Sequence, residues 1–234
     1  MLAAVAAMII VAPRVRAVDA GPKILSESIE WCDMHVDETG RTDLPRVLFI
    51  GDSISAGNRG PAMEALKNKA YFAFLCTSKA LGHPVLFDEI KMMLGQFKFD
   101  VIHFNVGMHG WDYTEDDYRA AFPRLIALLK EKAPGARLIW ASTTPFRLNG
   151  HTMESFDPRN ERVKARNRIA AEFVAKEGIP INDLYTLEES HPEHSSKDGV
   201  HFTAEGKSLQ GQQVAKFIGE ALAVIGPTRT PAGK

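Results

Sequence analysis

A serine that directly follows a short apolar run has the surroundings of a nucleophile. Residues 46–51 are apolar apart from Arg46, and Asp52, Ser53 and Ile54 come next. If the run is a strand that leads into a helix, Ser53 lies at the positive end of the helix dipole, where backbone N–H groups bind anions. The oxyanion that develops during acyl transfer needs such donors fixed in advance. The alternative interpretation is a helix N-cap, a role that Ser and Asp fill routinely.

A second stretch, near the C-terminus, offers a base and an acid. Asp198 and His201 are three residues apart in the sequence Asp-Gly-Val-His, just before the last amphipathic stretch. A serine hydroxyl needs an adjacent general base, and a carboxylate must orient the histidine that serves as one. The pair therefore predicts a triad of Ser53, His201 and Asp198. The alternative is a capping aspartate followed by an ordinary loop histidine.

The same stretch is rich in possible metal ligands. Three histidines and two carboxylates lie within eleven residues, and such density can indicate zinc. Zinc-binding histidine pairs usually lie four residues apart on a helix, whereas this stretch contains a proline and a glycine and has no helical period. We therefore predict no metal and no organic cofactor, and we expect His191 and His194 to be loop residues near the mouth of the site.

Alternating apolar runs and amphipathic stretches predict the elements that position these residues. Five short runs are mainly apolar, as is typical of buried parallel strands, and each precedes a stretch with helical periodicity. The predicted strands are 46–51, 71–76, 100–105, 136–141 and 179–182. The predicted helices are 57–69, 83–96, 114–133, 157–178 and 203–225, with Thr114 and Asp157 as N-caps. This order predicts an α/β domain with a five-stranded parallel sheet covered on both faces, which binds ligands at the carboxyl ends of its strands.

The overall composition excludes several classes of protein. Of the 234 residues, 45% are hydrophobic and 24% charged, which argues against a disordered chain and against a polytopic membrane protein. The 28 basic and 29 acidic side chains give a net charge of -1, without the basic excess typical of nucleic-acid binding. No repeat of 20–50 residues is visible, which excludes solenoids and propellers. We predict one domain over residues 46–225, and the sequence is silent on the oligomeric state.

The two ends of the chain differ from this domain. Residues 2–12 form an apolar run too short to span a bilayer but as long as a signal-peptide core, although no basic residue precedes it. We predict a signal peptide over 1–20 and export to the periplasm or medium; without it the protein would be cytoplasmic. We also predict an N-terminal arm over 21–45 and a flexible tail over 226–234.

The two cysteines allow two interpretations. Cys32 and Cys76 could form a disulfide in an exported protein, but two cysteines are not a disulfide framework. Cys76 ends an apolar run, which is more typical of a buried thiol.

Taken together, Gly-Asp-Ser after the first strand and Asp-Gly-Val-His-Phe-Thr before the last helix resemble the SGNH (GDSL) hydrolase family. The family comprises serine esterases with a flavodoxin-like three-layer α/β/α sandwich, and its four sequence blocks can be followed over nearly all of residues 45–225. The resemblance implies that Ser53 is the nucleophile, Asp198 the acid and His201 the base. It also implies an oxyanion glycine after the second strand, for which Gly82 is the candidate; the alternative is a loop glycine with positive φ.

The block after the third strand departs from the family pattern. The family usually has Gly-x-Asn-Asp there, with the Asn side chain as an oxyanion donor, whereas residues 107–110 are Gly-Met-His-Gly. His109 occupies the Asn position, and a neutral imidazole can donate one N–H as an amide does. We predict an oxyanion hole made of the Ser53 and Gly82 N–H groups and the His109 side chain. Asn105 could donate as well, or could satisfy buried backbone groups.

Other aromatic and basic residues have simpler interpretations. Trp111 and Tyr113 follow this block and could form a wall on which a sugar ring stacks, whereas Tyr118 at helical spacing is typical of a core. Five basic residues lie between positions 159 and 168, interleaved with apolar ones, and predict a solvated helix face.

These observations predict a serine esterase that removes short acyl groups, acetyl above all, from a carbohydrate or similar polyol. The reaction class follows from the residues and the resemblance together. The sugar-ester substrate follows from the resemblance alone, since a branch of the family with Gly-Leu-His in this block is often linked to such esters. The expected partner is a small-molecule or glycan ester, with no nucleic acid and no membrane span.

Two alternatives remain open. The first is a lipid or thioester acylhydrolase of the same family, for which Met92, Met93 and Phe97 could supply an apolar groove, although their spacing is typical of a core. The second is a non-catalytic glycan-binding domain that uses the same cleft.

Overall fold

A computed structural model of the protein describes residues 24–150 and 154–225. The predicted signal peptide (1–20) and the predicted tail (226–234) lie outside the described residues, as does the start of the predicted arm. Within the described ranges, no helix has both the length and the apolar character needed to cross a membrane.

Strands and helices alternate from residue 46 onward, which confirms the predicted α/β class. The strands are β1 (Cys32–Val36), β2 (Arg46–Gly51), β3 (Tyr71–Thr77), β4 (Val101–Phe104), β5 (Arg137–Ala141) and β6 (Ile181–Asn182). The α-helices are α1 (Ser53–Ala65), α2 (Pro84–Gln96), α3 (Glu115–Lys132), α4 (Asn160–Lys176), α5 (Leu184–Glu189) and α6 (Ala204–Ile225). A 3₁₀ turn at Pro192–His194 precedes the loop that carries Asp198 and His201.

The strands form one sheet in the order β1-β3-β2-β4-β5-β6. The last five strands along the chain are parallel to their neighbours, whereas β1 pairs antiparallel with β3. The predicted number of five strands is therefore one too few, because the predicted arm supplies β1. If only the parallel strands are counted, their order is 2-1-3-4-5, which is the flavodoxin-like arrangement with its switch point between β2 and β4.

Helices cover both faces of the sheet, which makes the fold a three-layer α/β/α sandwich. Along β2, Leu48 and Ile50 face a core formed with α2, α3 and α4, whereas Val47 and Phe49 face a core formed with α1 and α6. Because successive side chains of a strand point to opposite faces, an all-apolar strand is needed only where both faces are buried. The apolar run at 46–51 is therefore the signature of a central strand.

Three helix predictions need correction. α1 begins at Ser53, four residues earlier than predicted, because the Asp52 carboxylate caps it. α4 begins at Asn160, and the predicted cap Asp157 lies before it, where its carboxylate accepts the N–H of Arg159. The six-residue helix α5 was not predicted, since it is too short to show a period. The cap at Thr114 is confirmed, because its hydroxyl accepts the Asp117 N–H at 3.1 Å.

The two cysteines are both free thiols. Cys76 on β3 is fully buried, as predicted, and a guanidinium nitrogen of Arg59 lies 3.3 Å from its sulfur. Cys32 lies opposite Thr77 rather than Cys76 in the β1–β3 ladder. Neighbouring register positions point to opposite faces of a sheet, so this pairing separates the two sulfurs.

One histidine is buried in the middle of the sheet. His103 of β4 is 1% exposed, its ring lies edge-on to Phe49, and its Nε2 lies 3.1 Å from the Asn182 amide nitrogen. An amide N–H can only donate, so Nε2 accepts and the ring is neutral. Burial lowers the pKa of His103 to about 4, because the charged ring would be desolvated.

We expect this histidine to make the fold sensitive to acid. The unfolded chain protonates His103 near pH 6.5, whereas the folded protein does so only near pH 4. The free energy of unfolding should therefore fall as the pH is lowered from 6.5 towards 4. At pH 5 the loss relative to pH 7.5 should be about 2 kcal/mol, since one pKa unit corresponds to about 1.4 kcal/mol.

Urea denaturation at pH 7.5 and pH 5 measures this loss. The His103→Gln variant, which does not titrate, should be less stable at pH 7.5 but should lose about 2 kcal/mol less than the parent protein between the two pH values. An equal loss in both proteins would show that other groups cause the acid sensitivity.

Candidate active site

Ser53 lies at the carboxyl end of β2 as the first residue of α1. The N-cap is Asp52, whose Oδ1 accepts the N–H of Ile54 at 2.8 Å. The capping function is therefore taken by Asp52, and the Ser53 hydroxyl is available for another partner. The first N–H groups of a helix have no partner within the helix, so the N–H of Ser53 can donate to an anion.

The predicted triad is assembled by hydrogen bonds. His201 Nδ1 lies 2.7 Å from Asp198 Oδ2, and His201 Nε2 lies 2.8 Å from Ser53 Oγ. Because a carboxylate can only accept, Nδ1 carries the ring proton and Nε2 accepts from the serine hydroxyl. This is the arrangement in which the ring can take the serine proton, and it joins residues that are 148 positions apart.

The Asp198 carboxylate organises the turn around it. Its Oδ1 accepts the backbone N–H groups of Val200 and His201, both at 2.9 Å, and the Ser196 hydroxyl at 2.8 Å. Burial by itself would raise the pKa of Asp198. The bonds from the His201 backbone and ring, from Val200 and from Ser196 outweigh burial and hold the pKa of that carboxyl well below its usual range. Asp198 is therefore ionised at neutral pH.

A glycine fits this turn against a neighbouring loop. Gly199 has φ of +76°, and a Cβ at this position would lie 2.1 Å from the carbonyl oxygen of Arg147. The Arg147 N–H donates to the Gly199 carbonyl at 2.8 Å, and its guanidinium donates to the carbonyls of Glu188 and Glu189. Arg147 thus binds both ends of the segment 188–199, which contains Asp198. The sequence analysis did not identify this arginine.

The loops that follow β3 and β4 pack closely together. A Cβ at Gly82 would lie 2.5 Å from the ring of Tyr113, and a Cβ at Gly110 would lie 2.3 Å from the Cβ of Ala80. Gly82 does not have a positive φ, so the reason for glycine here is the approach of the Tyr113 ring. These contacts hold the two candidate oxyanion loops against each other.

Two arginines of α4 hold the loop after β4, which corrects the predicted solvated face at these two positions, whereas Arg159 and Arg168 are exposed as predicted. Arg166 is 1% exposed, and its guanidinium donates to the carbonyls of Gly107, His109 and Gly110 at 2.7–3.0 Å. Arg162 donates to the carbonyls of Trp111 and Tyr113.

The sequence does carry a signal for this arginine pair. Positions 162 and 166 share a helix face with the buried Val163 and Ile169, as their spacing of three and four residues shows. The charge of arginine favours an assignment to solvent, but the carbonyl oxygens of the loop accept three hydrogen bonds from the Arg166 guanidinium.

Asn105 and His109, the candidate oxyanion donors after β4, differ in their hydrogen-bond partners. The Asn105 amide donates to the Ala141 carbonyl at 2.7 Å and to the Thr143 hydroxyl at 3.0 Å, which uses both of its hydrogens. Asn105 therefore joins the ends of β4 and β5, which is the structural alternative considered above. The His109 ring is partly exposed, and its Nδ1 lies 3.4 Å from a carboxylate oxygen of Glu27.

Trp111 lies beside the loop that carries Asp198 and His201. It packs with Val200 against a small apolar cluster formed by Met108, Phe146, Val163 and Tyr185. Its ring centroid is 5.7 Å from that of Phe146, and the Arg166 guanidinium lies 4.8 Å from its ring centre. The side chain is only partly buried, and the Arg159 and Arg162 guanidinium groups also lie 5.9 and 5.6 Å from its ring centre.

The two further histidines of the loop are held by carboxylates. His191 Nδ1 lies 2.8 Å from Glu193, and His194 Nδ1 lies 3.0 Å from the fully buried Glu188. Potential ligand atoms of His191, Glu193 and His194 lie within 4.8 Å of one another, so this is the part of the described chain where a metal ion could bind. The hydrogen bonds among Ser53, His201 and Asp198 are complete without these groups.

The sequence of the chain matches a known family. Residues 49–209 match the model of the GDSL-like lipase/acylhydrolase family. No curated protein sequence matches the chain.

Solved structures with the same fold share little sequence with the chain. A carbohydrate acetylesterase family member from Sinorhizobium meliloti is 17% identical, with a TM-score of 0.62 over 77% of this chain and 100% of that one. A GDSL-like lipase from Bacteroides thetaiotaomicron is 17% identical, with a TM-score of 0.60 over 76% and 89%. An acetylxylan esterase from Geobacillus stearothermophilus is 16% identical, with a TM-score of 0.58 over 75% and 94%.

The family match covers more than half of the chain, from β2 to α6. It includes Gly51-Asp52-Ser53 at its start and the Asp198–His201 loop near its end. The chain therefore belongs to the GDSL-like lipase/acylhydrolase family and is a carboxylester hydrolase.

Proposed function

We propose that the protein is a serine esterase that removes short acyl groups, acetyl above all, from a carbohydrate through an acyl-enzyme at Ser53. The observation that carries the proposal is the continuous hydrogen-bond chain from Asp198 through His201 to Ser53, with distances of 2.7 and 2.8 Å. A serine in such a chain loses its proton to the ring as it attacks, which is how a neutral hydroxyl becomes a nucleophile.

In the acylation step, Ser53 Oγ bonds to the ester carbonyl carbon and its proton moves to His201 Nε2. The imidazolium that forms is stabilised by the ionised Asp198 carboxylate. The carbonyl oxygen becomes an oxyanion, which accepts hydrogen bonds from the N–H groups of Ser53 and Gly82 and from His109. The tetrahedral intermediate then expels the alcohol, which takes the proton from His201.

Deacylation repeats these steps with water as the nucleophile. His201 takes a proton from water as the oxygen bonds to the acyl carbon, and the same donors hold the second oxyanion. Collapse releases the carboxylic acid and returns the proton to Ser53 Oγ. His201 must be unprotonated at Nε2 to start each half, because this nitrogen accepts the proton of the attacking nucleophile.

The openness of the site supports a short acyl group and a bulky alcohol. The side chains of His201 and Asp198 are 44% and 49% exposed, whereas a long acyl chain would need a covered apolar groove. The methionines that could line such a groove do not lie together, because Met93 is buried in the core whereas Met92 is half exposed to solvent.

Two observations support a carbohydrate as the alcohol part. The partly exposed Trp111 packs with Val200 of the Asp198–His201 loop against the same apolar cluster, and we expect it to contact a sugar ring. Two of the structural neighbours are named for carbohydrate acetylesterase and acetylxylan esterase activity, although their low identity shows only a shared fold.

Hydrolysis of p-nitrophenyl esters from acetyl to decanoyl tests the acyl preference. We expect kcat/KM to be highest for acetyl and to fall steeply with chain length, because an exposed triad gives a long chain little apolar contact. A preference for long chains would identify a lipid or thioester acylhydrolase instead. Turnover no higher than that of Ser53→Ala, together with binding of glycans, would identify a binding domain.

Acetylated sugars test the alcohol part separately. Release of acetate from acetylated xylan or from sugar acetates should exceed that from ethyl acetate, and Trp111→Ala should raise KM for the sugar esters while leaving that for p-nitrophenyl acetate nearly unchanged. Equal effects on both substrates would show that Trp111 supports the loop and does not contact a sugar.

A further inference from the structure

The segment before β1 lies on the two loops that carry the candidate oxyanion donors. The Leu25 N–H donates to the Tyr113 hydroxyl at 2.9 Å, in the loop after β4. The Trp31 N–H donates to Ser78 Oγ at 2.9 Å, and the Ser78 N–H returns a bond to the Trp31 carbonyl, in the loop after β3. Residues 24–31, which we call the N-terminal strap, thus bridge both loops.

A partly buried ion pair holds the strap in place. Glu30 accepts the Ser78 hydroxyl at 2.5 Å and lies 2.8 Å from the Lys79 ammonium. Burial opposes ionisation of Glu30, but the bonds from Lys79 and Ser78 outweigh it and lower the pKa to about 2. A second oxygen of the same carboxylate accepts the Glu27 N–H at 2.9 Å, which sets the position of Glu27.

Glu27 contacts the loop after β4 at the point where the sequence departs from the family. Its Oε1 accepts the Gly110 N–H at 2.8 Å and lies 3.4 Å from His109 Nδ1. On the other side of the loop, Arg166 of α4 donates to the His109 carbonyl at 2.7 Å, and Glu115 of α3 lies 3.4 Å from that guanidinium. The carboxylate that faces the imidazole ring is that of Glu27.

This contact restricts how the ring can donate. A carboxylate oxygen 3.4 Å from Nδ1 favours the tautomer with the proton on Nδ1, since two lone pairs would otherwise face each other. In the neutral ring the other nitrogen, Nε2, then carries a lone pair and would repel an oxyanion. Nε2 can donate only when the ring is doubly protonated, and a charged donor gives a stronger hydrogen bond than a neutral one.

We propose that Glu27 is a positioning residue that holds His109 with Nδ1 against its carboxylate, so that Nε2 donates to the oxyanion from a doubly protonated ring. This inference rests on the proposed esterase function and on His109 as an oxyanion donor, and it revises the expectation of a neutral donor. The reaction then needs a protonated His109 and an unprotonated His201 at the same time. The proposal therefore predicts an alkaline limb in the pH profile of kcat that depends on the presence of His109.

A double-mutant cycle of Glu27→Gln and His109→Asn tests the proposal through the pH profile of kcat on p-nitrophenyl acetate. Gln retains an oxygen that can accept the Gly110 N–H but removes the charge beside Nδ1. We expect Glu27→Gln to lower kcat roughly tenfold near neutral pH, which is in the range for residues in contact, and to change the alkaline limb while KM stays nearly constant. In the His109→Asn background, whose amide donor does not titrate, that alkaline limb should be absent, and adding Glu27→Gln should change kcat less than about twofold.

The control is Asp33→Asn, which removes another carboxylate of the N-terminal segment. Asp33 contacts Arg59 rather than His109, so the shape of the pH profile should not change. If Glu27→Gln lowers kcat by the same factor with and without His109, Glu27 acts only through the Gly110 bond and the proposal is wrong.

A measurement on the ring itself separates this inference from the proposed function. The ¹⁵N shifts of the His109 ring in the Ser53→Ala protein should show Nδ1 protonated at every pH, and Glu27→Gln should move part of the neutral ring to the Nε2–H form. A neutral ring with its proton on Nε2 in the presence of Glu27 would overturn the inference even if the protein hydrolyses esters. Conversely, absence of ester hydrolysis would overturn the proposed function and leave the ring measurement to decide the role of Glu27.

Discussion

Replacing Ser53 with alanine should lower kcat for p-nitrophenyl acetate by roughly 10⁴–10⁶-fold, because the attacking atom is lost and only the binding site and the oxyanion donors remain. The fold should be retained, because Asp52 and not Ser53 caps the helix. Among the described residues, the Ser53 hydroxyl bonds to the His201 ring. Steady-state hydrolysis and the melting temperature should be measured on the same preparation.

Ser208→Ala is the matched control for this variant. Ser208 lies on α6, and its replacement removes a hydroxyl that has no part in the triad. The turnover of this variant should therefore equal that of the parent protein. A Ser53→Ala protein that retains more than about one per cent of the parent activity would be incompatible with a serine nucleophile at this position.

Removing the His109 imidazole should have the next largest effect. One oxyanion donor contributes about 10²–10³-fold to turnover, so His109→Ala should lower kcat by that factor with little change in KM. The reason is that the developing negative charge on the carbonyl oxygen is present in the transition state but not in the bound ester. The loop should keep its position, because Arg166 holds it through the carbonyl oxygens of Gly107, His109 and Gly110.

His109→Asn distinguishes a lost donor from a disturbed loop. An amide N–H at this position can donate to the same oxygen, so much of the lost activity should return. If alanine and asparagine are equally impaired, the ring acts by filling space. If alanine is as active as the parent protein, the imidazole is not an oxyanion donor.

The features that could be predicted from the sequence are those with a local signature. The apolar run at 46–51 identified a central strand, because both faces of such a strand are buried. The capping box at Thr114 identified the start of α3, because its donor and acceptor are three residues apart. The predicted start of α1 was wrong because the Asp52 side chain caps the helix at Ser53, whereas α4 begins at Asn160 without a side-chain cap.

The residues that support the candidate site were harder to find. Arg166 was assigned to solvent on its charge, although it lies on a buried helix face and binds three carbonyl oxygens. Glu27 had no signature at all, because its contact with His109 joins a segment before the first strand to a loop 82 residues later. The strand β1 was likewise hidden in what had been interpreted as an arm.

The sequence by itself determined the chemistry available and the order of the elements, because residue types and periodicity are local properties. It named Ser53, Asp198 and His201, and it implied that strand ends would bring them to one edge of the sheet. Only the tertiary structure decided that Asp52 rather than Ser53 caps α1, and that the Asn105 amide donates to the carbonyl at the end of β5. It also decided that a carboxylate lies next to the ring of His109. The physical reason is that a hydrogen bond or an ion pair depends on distances of a few ångströms between groups far apart in the chain, and such distances exist only once the chain has folded.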